Sequence, residues 1–118
     1  MVVFLTNSFS PSMLKLEKNV QIKTVFTEID SNEFCEAIKD SKDLVNAIGH
    51  KSTVELINTM CGTSLEMNRV SITANRGDEI LALILTVRLE EGCVLESDEI
   101  EEFLEQGKIR FVKVEIES

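Results

Sequence analysis

The pentapeptide Gly49-His50-Lys51-Ser52-Thr53 sets the one histidine of the chain directly before residues able to open a helix. A helix amino terminus offers backbone amides without intrahelical partners and the positive end of the helix dipole, so it attracts an anion. Lys51, Ser52 and Thr53 would add an ammonium and two hydroxyls around it. An imidazole titrates near ~6.5 and can give or take a proton at physiological pH, which makes His50 a candidate general acid beside a bound phosphodiester. Taken alone, the pentapeptide fits more plainly a histidine that hydrogen-bonds near a helix start.

Two further stretches invite the same question. Asn7-Ser8-Phe9-Ser10-Pro11-Ser12 gathers hydroxyls and an amide side chain at another helix entry, although ordinary capping and turn chemistry would also place them there. In Arg88-Leu89-Glu90-Glu91-Gly92 an arginine leaves an apolar stretch into two acids. Arg88 could hold a phosphate bidentately and one acid could hold or charge a histidine, or the group is a salt-bridged strand end. A Cys-His nucleophile pair fails on distance: Cys61 follows His50 by eleven residues, about 16 Å along a continuous helix. No P-loop, dinucleotide fingerprint, nucleophile elbow or metalloprotease motif is present.

The elements that must position these residues are legible from periodicity. Val2-Val3-Phe4-Leu5 reads as a strand, and Ser10-Pro11 as the entry to a short helical turn through Met13 and Leu14. Residues 20–28 read as a half-buried strand with Val20, Ile22, Thr24 and Phe26 on its inner face. Asp30 to Glu33 has capping-box spacing and opens a helix that buries Phe34, Ala37 and Ile38. Leu44, Val45 and Ile48 continue the apolar pattern to Gly49. Ser52 to Glu55 repeats the capping-box spacing for a second helix, with Val54, Ile57 and Cys61 inward and Gly62 at its end. Residues 69–76 and 79–88 read as two strands around the turn Arg76-Gly77-Asp78, the second apolar enough to be central. A helix from Ser97 to Gly107 and an alternating strand from Ile109 to Ile116 complete the chain. The expectation is a single α+β domain over 1–118, with a mixed sheet of about five strands flanked by helices.

Composition bounds the function. With 118 residues, 43% of them apolar, the chain can bury a core without staples. Cys35, Cys61 and Cys93 are far apart and odd in number, which reads as three small buried side chains in a reducing compartment. One histidine and scattered cysteines make no metal-ligand set, so metal-free chemistry without a cofactor is expected. A net charge of −9 argues against a general binder of duplex or single-stranded nucleic acid. A small anion gripped by a few donors remains allowed. With no apolar run of ~20 residues and no basic leader, the expectation is a cytoplasmic protein with no membrane segment.

Together the segments resemble those of a known family. Asn7-Ser8-Phe9-Ser10 with Met13-Leu14, Glu33-Phe34-Cys35, Asn46-Ala47-Ile48-Gly49-His50 with Ser52-Thr53, Cys61-Gly62-Thr63, Asn68-Arg69-Val70 and Arg88-Leu89-Glu90-Glu91-Gly92 occur here in the order and spacing of the viral type III anti-CRISPR ring nucleases. The resemblance covers nearly the full chain. It implies a homodimer that binds cyclic tetra-adenylate across its two-fold axis and cuts it, without metal, into linear di-adenylates ending in a 2′,3′-cyclic phosphate. It further implies that a ribose 2′-hydroxyl is the nucleophile, that His50 protonates the leaving 5′-oxygen and that Glu91 orients His50. Arg88 and Arg69 match ligand-binding arginines, and Asn7, Ser10, Ser12, Ser52 and Thr53 fall where polar contacts to the ring are expected. Lys51, where aspartate is common in the family, would add positive charge to the pocket. Ser8 and Ser12 stand where alanine and asparagine are common, and Ile84 where some relatives carry a polar ring contact. The rival expectation is a non-catalytic dimeric module: a sponge for the ring, or an adaptor gripping a host protein through the acidic helix from Ser97.

Overall fold

The computed structural model describes residues 1–89 and 94–118. Five strands form one mixed sheet: β1 (Val3–Thr6), β2 (Thr24–Ile29), β3 (Leu44–Asn46), β4 (Glu79–Leu85) and β5 (Ile109–Ile116). Their order is β2-β5-β4-β1-β3. β1 runs parallel to both neighbours, with Leu5 opposite Asn46 on one side and Leu81 on the other. β5 is antiparallel to β4 and β2, with Phe111 opposite Leu83 and Ile29. β4 is central as its apolar run requires, and Ile80 to Leu83 are fully buried.

The period-two pattern of the strands separates two cores. On one face Val3, Leu5, Leu81, Leu83, Ile109 and Phe111 pack against three helices, α1 (Ser31–Asp40), α2 (Lys51–Cys61) and α3 (Ser97–Glu105). On the other face Phe4, Ile80, Val114 and Ile116 are covered by irregular chain through Phe9, Met13, Leu14, Ile22, Ile72 and Ala74. Local chemistry sets several of the helix ends. Asp30 Oδ1 accepts from the Glu33 amide at 2.8 Å, opening α1. Gly62, in the left-handed region at φ 68°, closes α2, and a Glu96–Glu99 capping box opens α3. Ser10 caps the 3-10 turn Pro11–Met13, with proline in the first turn.

Several sequence expectations are corrected. The expected strand over 69–76 does not form; only Ala74 makes a bridge, to Leu14. Its alternation is real, since Ile72 and Ala74 are buried, but the segment lies flat on the sheet face instead of joining the sheet. The fifth strand is β3, three residues at the edge beside β1, too short to show a period. Of the strand expected over 20–28 only the part from Thr24 is in the sheet, and Phe26, on an edge strand, is 57% exposed. The strand expected over 79–88 ends at Leu85. The helix assigned a capping box at Ser52 begins earlier, at Lys51, with His50 in the N-cap position.

The cysteines depart furthest from expectation. Cys35 and Cys61 form a disulfide between α1 and α2, with Cα atoms 5.1 Å apart across 26 residues of sequence. Two helices packed side by side on one sheet face bring the pair together, which spacing alone does not reveal. Cys61 is therefore neither a free thiol nor a nucleophile. Cys93 lies outside the described residues.

Candidate functional site

Parallel strands deliver the loops at their carboxyl ends to one edge of the sheet, where open α/β sheets hold ligands. β1 ends at Thr6 and releases Asn7; β3 ends at Asn46 and releases Ala47 to His50. The Ala47 amide still bonds to the Leu5 carbonyl at 2.8 Å, so the β3 loop leaves the sheet directly beside the end of β1. His50 follows as the N-cap of α2. Asn7, Ala47, Gly49, His50, Arg69, Val70 and Ser71 line a cleft of about 530 Å³. A neighbouring cleft of about 450 Å³ shares Asn7, Ala47, Val70 and Ser71 and extends along Thr6, Ser8, Ser12 and Met13. The two make one groove of ligand-binding size.

Arg69 reaches the groove from the irregular segment, and a small polar lattice holds it there. Asn46 donates from Nδ2 to the Glu66 carbonyl and accepts at Oδ1 from the Ile48 amide at 3.1 Å. Asn68 returns the link, donating from Nδ2 to the Asn46 carbonyl at 2.8 Å, while its amide bonds to the Ile48 carbonyl at 2.9 Å. Arg69 then donates from Nε to the Gly49 carbonyl at 3.0 Å. Gly49 has to be glycine for this approach, because a Cβ there would stand 2.7 Å from Arg69 Cγ. The guanidinium keeps its remaining N–H donors for a ligand.

His50 is half-buried, with Nδ1 3.5 Å from the Thr53 hydroxyl, the outer limit of a hydrogen bond. The Thr53 hydroxyl therefore sits beside Nδ1 without fixing which ring nitrogen carries the proton. α2 points its positive end at the same place. The groove thus combines an imidazole, a guanidinium, an amide and hydroxyls with apolar wall from Ala47, Val70 and Met13. Such a set suits a ligand that carries both phosphates and flat apolar rings.

Of the residues expected from sequence, Asn7, Ser12, His50 and Arg69 line the groove. Ser10 sits behind it, its hydroxyl 3.0 Å from that of Ser12. Ser52 and Thr53 are buried in the first turn of α2, with the Thr53 hydroxyl beside His50. Lys51 is exposed beside them. Arg88 is exposed three residues beyond β4 and is not among the residues lining the groove. Glu91 lies outside the described residues. Ala47 and Val70, which stand in the resembling segments without an expected role, also line the groove, as does Ser71, which nothing in the sequence marks. Asn46 and Asn68 carried a signal, as two amide side chains flanking the Gly49 and Arg69 segments, but their role needs the fold.

A family model described as STIV B116-like matches residues 3–113. The chain belongs to the STIV B116-like family. B116 of Sulfolobus turreted icosahedral virus has the same fold, with a TM-score of 0.87 and 44% identity over 98% of this chain and 99% of B116. ORF116 of Acidianus filamentous virus 1 is 43% identical over 115 residues, 98% of this chain and 96% of its own length. Protein 26 of a Sulfolobus islandicus filamentous virus is 31% identical over 57% of each chain. The STIV B116-like relatives are thus proteins of archaeal viruses, and the five-stranded sheet with three helices is common to this chain and B116. No helix among the described residues is long and apolar enough to cross a membrane.

Proposed function

We propose that the protein is a metal-independent ring nuclease that binds cyclic tetra-adenylate across a homodimer. It cleaves the ring to linear di-adenylate with 2′,3′-cyclic phosphate ends, removing the second messenger of type III CRISPR signalling. The observation that carries this reading is the convergence of His50, Arg69 and Asn7 on one groove at the carboxyl ends of β1 and β3. The viral relatives agree with a role against host defence. The sequence resemblance supplies the substrate.

In this mechanism the ring supplies its own nucleophile, a ribose 2′-hydroxyl that gives its proton to solvent water as its oxygen attacks the adjacent phosphorus. The P–O5′ bond breaks and His50, as imidazolium, gives its proton to the departing 5′-oxygen. The Thr53 hydroxyl lies beside Nδ1 of the same ring. Arg69, held at the Gly49 carbonyl, neutralises charge on the non-bridging oxygens. Asn7 and Ser12 hydrogen-bond ribose or base edges, and Ala47 and Val70 carry the adenine faces. Arg88, Lys51 and Glu91 complete the site in the resemblance, the last by orienting His50. A two-fold pocket presents every donor twice, so a ring of four phosphates meets a positive cavity inside an acidic dimer.

Binding and cleavage separate in the test. His50→Ala should bind the ring with wild-type affinity and cleave it about 10²–10⁴-fold more slowly, the usual worth of a positioned general acid. Arg69→Ala should weaken binding. Undiminished turnover by His50→Ala removes the mechanism.

A further inference from the structure

At the opposite end of β4 a second cavity, of about 370 Å³, has cations in its wall. Lys15 enters it from the chain that follows the 3-10 turn, and Arg76 from the turn that leads into β4. Its walls are fixed by main-chain bonds on one side and a side-chain bond on the other. The Lys15 amide bonds to the Ala74 carbonyl at 3.1 Å, and the Ala74 amide to the Met13 carbonyl at 2.7 Å. Arg76 donates from Nη2 to the Gln21 carbonyl at 3.1 Å, which anchors the guanidinium and leaves most of its five donors for a ligand. Between them the chain folds back through a turn closed by Val20 N and the Glu17 carbonyl at 3.1 Å, with Asn19 at φ 66°.

The charge and the floor define what fits. The ion pairs among the described residues join Arg110 to Glu28 and Lys113 to Glu115, and involve neither Lys15 nor Arg76. The nearby Asp78 carboxylate turns to the backbone instead, accepting from the Val2 and Asn75 amides at 3.0 and 2.8 Å. Glu17 on the rim sets one carboxylate against two cations and offers an acceptor for a hydroxyl. The remaining lining is Asn75 and the apolar side chains of Val20 and Ile22, above a buried Ala74. A bare inorganic anion would leave that surface unused.

We propose that this cavity is a second binding site, separate from the His50 groove, for a small phosphate monoester with a flat or aliphatic body no larger than a mononucleotide. The phosphate sits between Lys15 and Arg76, the body on Val20 and Ile22, and a ligand hydroxyl on Glu17 or Asn75. The volume stands at the lower end of small-molecule sites, which sets the size limit.

The test is an amide chemical-shift titration of the full chain with AMP, with adenosine and with inorganic phosphate, read at residues 15–22 and 74–76. AMP should shift these amides saturably, and adenosine and phosphate should each bind at least tenfold more weakly. The double variant Lys15→Ala/Arg76→Ala, both positions exposed, should keep the wild-type dispersion elsewhere and lose at least tenfold in AMP affinity. Absence of AMP-induced shifts in these segments overturns the proposal, as does equal affinity in the double variant. Phosphate binding as tightly as AMP overturns the assignment of the apolar floor. None of these readouts depends on chemistry at His50.

Discussion

His50 occupies a cap position without spending its side chain on the cap, since no side-chain bond closes the start of α2. Ser, Thr, Asp or Asn would hold that place more firmly, by about 1 kcal/mol. A histidine there costs helix stability and is explained by what its ring faces. Replacing His50 by Asn should accordingly raise thermal stability slightly while abolishing proton transfer, an outcome checked by melting curves and ring turnover on one preparation. Gly49 makes a second residue-scale case. Gly49→Ala would drive Arg69 off the Gly49 carbonyl, through the 2.7 Å approach to Cγ. Because a charge-assisted contact is worth about 1.5–3 kcal/mol, ring affinity should fall by about tenfold or more with the fold intact. Calorimetric titration with unchanged circular dichroism reads both. The pentapeptide 49–53 was legible as a helix start beside a histidine; the pairing of Gly49 with Arg69 was not, because it joins residues twenty apart through a segment without periodicity.

Among the elements, α2 is tied at both ends: to the sheet edge through the β3 loop, and to α1 through Cys35–Cys61. Reducing that disulfide should cost about 2–4 kcal/mol, roughly 10 °C in Tm, by freeing the unfolded chain between the two helices. Equal melting temperatures with and without a dithiol reductant would contradict it. The start of β4 carries a different signal. Burial raises the Glu79 carboxyl above its ordinary value, Lys113 opposes the shift, and Glu115, its cross-strand partner, adds to it. A carboxyl raised in the folded state supports folding below its unfolded pKa and loses that support as pH rises through the folded value. Glu79→Gln should therefore raise Tm at pH 7 and leave it unchanged near pH 3. Long amphipathic or uniformly apolar elements (α1, α2, α3, β4 and β5) were legible because their burial imposes a period. β3 was hidden by its three-residue length, and 69–76 mimicked a strand because a chain lying flat on a sheet also buries alternate residues.

For the molecule as a whole, the parallel run of β1 against β3 and β4 decides where chemistry can occur. It gathers Asn7, Ala47 to His50 and, through the asparagine lattice, Arg69 at one edge, and it leaves the opposite end of β4 for the Lys15 and Arg76 cavity. A net charge of −9 argues against a general nucleic-acid binder, so cations matter here where the fold concentrates them. The class of the fold was legible from one sequence. The disulfide and the lining of the groove were not, because both arise between segments brought together by packing. The central claim is tested most directly by incubating the purified protein with excess cyclic tetra-adenylate in EDTA and resolving the products by liquid chromatography and mass spectrometry. The account predicts many turnovers to di-adenylate ending in a 2′,3′-cyclic phosphate. A ring that stays intact, whether bound to the protein or ignored by it, would contradict the account.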